Sequence, residues 1–305
     1  MDFQMISARN AKLLGESISG PSLPCSATSK SSTLKLTNAF THPYLLLLVL
    51  LILFISCMFL FTSKGPQAER NVSRLRLVVL VDNYRKISNI RTAWGLSIYV
   101  ETPSSRLLFD TGPDPRLLQD NSRRLGINLS SIDAVVISHE HGDHVGGLSC
   151  ISAGTKVYVP RGSSLRRYVE RIGLRLVEIN ETEMISDGIY VIKPLYGPPW
   201  EEAMAIKTKK GLVIIVGCSH PGVINIVKQA VEDIKMRPYI VIGGFHMAGA
   251  SPEEISSVVE ELLSLGVSRI YPIHCSGDGI RSYLARFHPE NYGDGGAGLE
   301  IEVDG

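Results

Sequence analysis

The sequence predicts a layered α/β protein preceded by one membrane-spanning helix. Three observations carry this: a strand–turn–strand unit ending in a polar glycine loop occurs twice, further apolar strands alternate with amphipathic helices, and one long apolar run lies near the N-terminus. At 305 residues, 44% hydrophobic and 20% charged, the chain is long enough for one large folded domain or two small ones and is not a disordered protein. Its formal charge of +1 divides into +2 for residues 1–43, with four basic and two acidic side chains, and −1 for the remainder. Neither part is a nucleic-acid footprint, so a nucleic-acid partner is not expected.

Residues 1–43, rich in Ser, Thr and Pro near their middle, read as a flexible tail. Residues 44–62 are almost uninterrupted Leu, Val, Ile, Phe, Met and Cys. As a helix these 19 residues span about 28 Å, enough to cross a bilayer. The run starts too far from the N-terminus for an ordinary secretion signal, and no small-residue cleavage site follows it. A single-pass membrane protein is therefore expected. Its orientation is open, because Arg9, Lys12, Lys30 and Lys35 before the span nearly balance Lys64, Arg70, Arg74 and Arg76 after it. Residues 63–73 read as a linker and 74–305 as the folded domain.

In that domain, residues 76–81 form a strand ending at Asp82-Asn83, and 96–101 form another. Residues 102–105 turn the chain, and 106–109 return it to Asp110-Thr111-Gly112. The unit recurs as 203–208, a Lys-Lys-Gly turn, and 212–216 running into Gly217-Cys218-Ser219-His220. Two related halves facing one another, with functional loops at corresponding strand ends, are the expectation. Pro221 then opens a helix with an apolar stripe of Val223, Ile226, Val227, Ala230, Val231 and Ile234. Strand 239–242 ends in Gly243-Gly244-Phe245-His246. Ser251-Pro252-Glu253-Glu254 is a capping box that starts a helix running to about Leu263, and strand 269–273 delivers His274-Cys275-Ser276-Gly277.

Between these units lies His139-Glu140-His141-Gly142-Asp143-His144, four potential metal ligands in six residues, directly after the buried strand 133–138. It holds three of the eight histidines of the chain. Two imidazoles one residue apart can point the same way in an extended segment, while Asp143 and His144 diverge toward a neighbouring position. That pattern suits two adjacent metals better than one. The five cysteines, Cys25, Cys57, Cys150, Cys218 and Cys275, have no CxxC spacing, which argues against a disulfide framework or zinc knuckle. Cys218 and Cys275 each lie beside a histidine in a glycine-containing turn and are candidates to line the cleft.

From about residue 77 to 303 these pieces, in this order, resemble the metallo-β-lactamase superfamily, whose core is a four-layer αβ/βα sandwich. Within it the likeness is to the 7,8-dihydropterin-6-methyl-4-(β-D-ribofuranosyl)aminobenzene-5'-phosphate synthase-like branch. It rests on Leu80-Val81-Asp82-Asn83, Gly95-Leu96-Ser97, Leu108-Phe109-Asp110-Thr111-Gly112, the histidine hexapeptide, Gly217-Cys218-Ser219-His220-Pro221-Gly222, Gly243-Gly244-Phe245-His246 and His274-Cys275-Ser276-Gly277.

The resemblance implies two divalent metals, zinc first, with manganese or iron as alternatives. It puts His139, His141 and His220 on one metal, and Asp143, His144 and His274 on the other. Asp110 would support the cluster from beneath as a hydrogen-bond acceptor, with Cys218 beside it. The family's bridging carboxylate is replaced here by Gly217-Cys218, leaving Glu201, Glu202, Cys218 or hydroxide alone for the bridge. The branch carries Glu-His before its Gly-Leu-Ser, and this chain carries Ala93-Trp94. Asp143 and His246 are the expected catalytic residues, and Asn83, Ser219, His246, Ser276 and Gly277 the expected substrate contacts. The implied function is a metal-dependent hydrolase acting on a small phosphorylated substrate through a metal-bound hydroxide. The alternatives are a dihydropterin-linked transferase, an iron-dependent redox protein and a non-catalytic membrane-tethered binding module.

Overall fold

The computed structural model describes residues 47–53 and 71–304, which belong to two separate units. In the first, residues 47–53 are helical (α1), with exposed apolar side chains. The rest of the expected span 44–62 and the tail 1–43 lie outside the described residues. Among the described residues no helix is long and apolar enough to cross a membrane.

The second unit contains two sheets. In chain order its elements are β1 (Arg74–Val81), β2 (Ser97–Glu101), β3 (Arg106–Phe109), α2 (Pro115–Arg124), β4 (Ala134–Val136), α3 (Gly142–Val145), β5 (Lys156–Pro160), α4 (Arg166–Arg171) and β6 (Arg175–Ile179). There follow β7 (Glu183–Ser186), β8 (Ile189–Tyr196), β9 (Trp200–Thr208), β10 (Gly211–Val216), α5 (Val223–Ile234), β11 (Pro238–Gly243), α6 (Pro252–Ser264), β12 (Arg269–Pro272), α7 (Gly277–Phe287) and β13 (Glu300–Asp304). One sheet runs β13-β1-β2-β3-β4-β5-β6 and the other β12-β11-β10-β9-β8-β7. Val72, expected in the linker, is buried, and its amide bonds the Lys207 carbonyl, so the folded body begins slightly before β1.

Strand alternation builds the layers. In β1, Leu75, Leu77 and Val79 enter the core between the sheets, while Val78 and Leu80 face the opposite way. In β10, Val213 and Ile215 meet that same inter-sheet core while Leu212, Ile214 and Val216 face out. The outward residues of the first sheet are covered by Leu117 and Leu118 of α2 and Val169 of α4. Those of the second are covered by α5, α6 and α7, through residues such as Val227, Val259 and Leu284. Central strands buried on both faces read as continuous apolar runs, and the result is helix, sheet, sheet, helix.

The repeated unit takes the same form in both sheets. Antiparallel β2–β3 is followed by parallel β4, and antiparallel β9–β10 by parallel β11 and then β12. The loops after β3, β4, β10, β11 and β12 carry the candidate ligands. Ser251 and Glu254 form the expected reciprocal cap of α6. Helix α5 starts at Val223 with Gly222 as its cap rather than at Pro221, and its stripe is buried apart from Val231, which is half-buried.

Candidate metal centre

The site is best built outward from Asp110, which is fully buried after β3. Its Oδ1 accepts from the Ser138 amide at 2.7 Å. Its Oδ2 accepts from Ser138 Oγ at 2.7 Å and from His144 Nδ1 at 2.7 Å. Since the single hydroxyl proton of Ser138 goes to Asp110, His139 Nδ1, 2.9 Å from Ser138 Oγ, must donate to it. That fixes the tautomers of His139 and His144, leaving the Nε2 lone pair of each facing inward.

The other two histidines are set in the same way. His220 Nδ1 donates to Glu201 Oε2 at 2.8 Å. Asn83 Nδ2 donates to the His274 carbonyl at 2.7 Å, so Asn83 Oδ1, 3.1 Å from His274 Nδ1, is the acceptor for that ring. Four Nδ1 protons are thus held by outer partners, and four Nε2 lone pairs point into one space.

These atoms form two sets of three. Ligand atoms of His139, His141 and His220 lie within 4.8 Å of one another, as do those of Asp143, His144 and His274. His139 Nε2 is 3.0 Å from His141 Nδ1. Asp143 Oδ2 is 3.6 Å from His144 Nε2 and 3.4 Å from His274 Nε2. Burial, with repulsion from the surrounding histidines, holds His139 well below the ordinary imidazole range and pushes His274 down to about 3. Both are therefore neutral at pH 7, the form that ligates a metal. His274 Nε2 is buried without a hydrogen-bond partner in the structure. A divalent cation would satisfy that nitrogen, and the imidazole–carboxylate donor set fits one at each position.

Backbone strain concentrates here. Among the described residues, five non-glycine residues have positive φ; four of them, Asp110, Ser219, His246 and His274, are on the site loops. Gly217 lets the β10 loop press against Ser138, since a Cβ there would lie 2.2 Å from Ser138 Oγ.

Several expected substrate contacts are engaged in holding these loops. Asn83 clamps His274 as described, and Asp82 Oδ2 accepts from the His274 amide. Ser219 Oγ donates to the Gly244 carbonyl at 2.7 Å. Ser276, also buried, donates to the Ile273 carbonyl and accepts from the Phe245 amide. Gly277 turns with φ +78° against Ala248. His246 is exposed, its ring centroid 4.8 Å from that of His220, and it remains open to a substrate.

Neither glutamate offered for the bridge joins a ligand set. Glu201 accepts from the Cys218, Ser219 and His220 amides as well as from His220 Nδ1, so it builds the β10 loop. Glu202 is buried with both carboxyl oxygens unpartnered in the structure. Cys218, by contrast, lies at the centre, its Sγ 3.3 Å from His144 Nε2.

Burial, then the nearby Asp110, raises the Glu202 carboxyl well above its ordinary value of 4.5. A folded-state value raised in this way contributes stability that is full below pH 4.5 and is lost as pH rises toward the folded value. Glu202→Gln should abolish that slope. In metal-free protein it is expected to gain on the wild type in urea denaturation at pH 8 relative to pH 5, because the amide has no proton to lose. An unchanged difference between pH 5 and pH 8 refutes this.

Residues the sequence did not single out complete the site. Glu140 accepts from the Ser164 amide and hydroxyl, fixing the loop after β5. Trp94 is 57% exposed, with its ring centroid 5.0 Å from that of His274. Its position directly before Gly95-Leu96-Ser97 is the available signal.

A family profile described as "Beta-lactamase superfamily domain" matches residues 105–194. The crystal structure of Tm1679, described as a metal-dependent hydrolase of the β-lactamase superfamily, aligns with TM-score 0.67 and 27% identity, covering 76% of this chain and 100% of that one. Residues 105–194 thus match a β-lactamase superfamily domain, and the folded body has the metallo-β-lactamase fold. This superfamily domain is also similar to the 7,8-dihydropterin-6-methyl-4-(β-D-ribofuranosyl)-aminobenzene-5'-phosphate synthase of Methanocaldococcus jannaschii. Identity is 29% over 261 residues, covering 68% of this chain and 89% of that protein. The metallo-β-lactamase fold protein YhfI from Bacillus subtilis, with TM-score 0.56 and 13% identity over 76% of this chain and 100% of that one, shares the fold.

Proposed function

We propose that this chain is a metal-dependent enzyme with hydrolase-type chemistry on a small phosphorylated substrate. The observation that carries this reading is the convergence of four tautomer-fixed Nε2 lone pairs, with Asp143 and His141, into two adjacent sets of ligands. His139, His141 and His220 would hold one divalent cation and Asp143, His144 and His274 the other, with zinc favoured by the donor set and manganese or iron as alternatives. When bound, such a pair supplies Lewis acidity and an acidified water as nucleophile.

The chain's own residues do the rest. Asp110, Glu201 and Asn83 keep the imidazoles in the ligating tautomer. Asp143, on the open side of the centre, also offers a carboxylate for a proton released during attack. Exposed Arg161 lies over the Trp200 ring at 4.5 Å, and both share a small hollow with Glu140 of the hexapeptide, which supports its guanidinium as a proposed phosphate contact. His246 donates a proton or hydrogen bond to the leaving oxygen. His246→Ala should therefore lower kcat by roughly 10²–10⁴-fold on substrates with basic leaving groups while retaining metal. Equal losses on activated esters with acidic leaving groups argue against that role.

A second reading, dihydropterin-linked transfer, is supported by the relative named as such a synthase and by Trp94, whose exposed ring beside His274 offers a face to a heteroaromatic group. The metal-loaded full-length protein should be screened against phosphodiesters, pyrophosphates, thioesters, lactones and dihydropterin compounds. Hydrolysis of a phosphate ester or pyrophosphate is expected. Condensation of a dihydropterin pyrophosphate supports the second reading, and two bound metals with no turnover on any compound leave a membrane-tethered binding module. The apolar run 44–62 is proposed as a single-pass anchor, tested by whether the full-length chain stays with membranes through alkaline extraction.

A further inference from the structure

We propose that Cys218 is the shared ligand where the two cation positions meet, giving a centre bridged by a thiolate and selective for thiophilic cations. This rests on the two-cation reading above but goes beyond it, since nothing in that reading requires sulfur.

The placement is specific. The ligand atoms of Cys218 lie within 4.8 Å of those of three different pairs: His139 with His144, His220 with His246, and His274 with Cys275. It therefore reaches members of both ligand sets, and no other residue in the cluster joins as many groups. Its loop is held there on purpose-built supports. Glu201 Oε1 fixes the Cys218 amide at 2.8 Å, and Gly217 allows the close approach to Ser138. The two carboxylates within reach along the chain do other work, Glu201 on loop amides and Glu202 out of the ligand sets.

An independent feature points to a ligand at the same spot. His274 Nε2 is buried and makes no hydrogen bond in the structure, its nearest carboxylate being Asp143 at 3.4 Å, and His274 belongs to a ligand group with Cys218 as well as to the one with Asp143. Cys275 is a poorer candidate, because its thiol points to the Cys218 carbonyl at 3.6 Å and it packs against Gly244.

A thiolate has lone pairs enough for two cations, and as a soft donor it favours zinc, cobalt or iron over magnesium and manganese. Coordination would take Cys218 as the thiolate, its proton going to solvent.

Cobalt(II) gives a readout independent of turnover. Metal-free full-length protein titrated with cobalt(II) should bind two equivalents and develop a thiolate-to-cobalt charge-transfer band in the near ultraviolet. The band should persist in Cys275→Ser and vanish in Cys218→Ser, with the visible ligand-field bands retained. Cys218→Asp, which restores a carboxylate, should also bind two equivalents without the band, and its preference for zinc over manganese should fall by roughly 10-fold or more. Two equivalents bound by the wild type without a charge-transfer band overturns the thiolate bridge alone. Persistence of the band in Cys218→Ser does the same. Failure of the wild type to bind two equivalents overturns the bridge and the two-cation reading together.

Discussion

His139→Ala is expected to remove bound metal and turnover together while leaving the four-layer fold standing. His139 is fully buried, yet it is neutral and its hydrogen bonding is confined to Ser138 and the facing His141, so its loss strands no charge in the core. The ligand set of His139, His141 and His220 is left with two members, and the neighbouring position loses its partner cation. The fall in metal affinity should exceed the roughly 10–100-fold typical of losing an outer hydrogen-bond partner. Asp110→Asn makes that comparison directly. All six ligands remain, but an amide cannot accept from Ser138 and His144 as the carboxylate does, so a loss within that range is expected. Metal content by mass spectrometry, with circular dichroism to report the fold, checks both. Full metal and normal turnover in His139→Ala refutes the assignment.

Gly217→Ala should damage the fold and the centre at once. An added Cβ would sit 2.2 Å from Ser138 Oγ, 2.5 Å from Ser138 Cβ and 2.9 Å from Glu201 Oε1. Ser138 is short and bonded to Asp110, so it has no free end to swing away. Either the β10 loop retreats, taking His220 with it, or Ser138 moves and releases His139. Overpacking of this kind costs about 1–3 kcal/mol, and a loss of metal affinity should accompany it. Gly154→Ala is the matched control. Unlike Gly217 it has positive φ, at +84°, but nothing lies within 4 Å of the added carbon. It should cost about 1 kcal/mol through backbone strain and leave metal binding unchanged. Thermal melts with and without metal separate the two: equal metal-dependent shifts in both variants contradict the coupling.

Much of this could be read from residue order, because the central strands are buried on both faces and end abruptly in His, Gly or Asp. The hexapeptide, His220 and His274 all arrive at one edge as expected. Residues 148–199 carry less legible strands, for a physical reason. Strands β6 and β7 are sheet-edge strands with charged or half-exposed residues, such as Arg175, Glu178 and Glu183, so they lack a clean apolar run. Strand β13 pairs with β1 from the far end of the chain, and local pattern cannot reveal such a partner. The polar residues of the motif loops misled in one respect. Asn83, Ser219 and Ser276 looked available to a substrate, but sharply turned loops leave backbone groups that need partners, and these side chains meet that need. The partner of Asn83 is His274, far away in sequence, so only the fold discloses its task.

The outer partners of the histidines also cross between the sheets. Asp82 and Asn83 follow β1 in one sheet and hold His274, which follows β12 in the other; Ser138, beyond β4, receives the amide of Glu202 from β9. Cations held among these loops would therefore staple the sandwich along one seam. Closing that seam and loading the centre would be a single equilibrium, so withdrawing metal from the finished protein would loosen the join between its two halves as well as its chemistry.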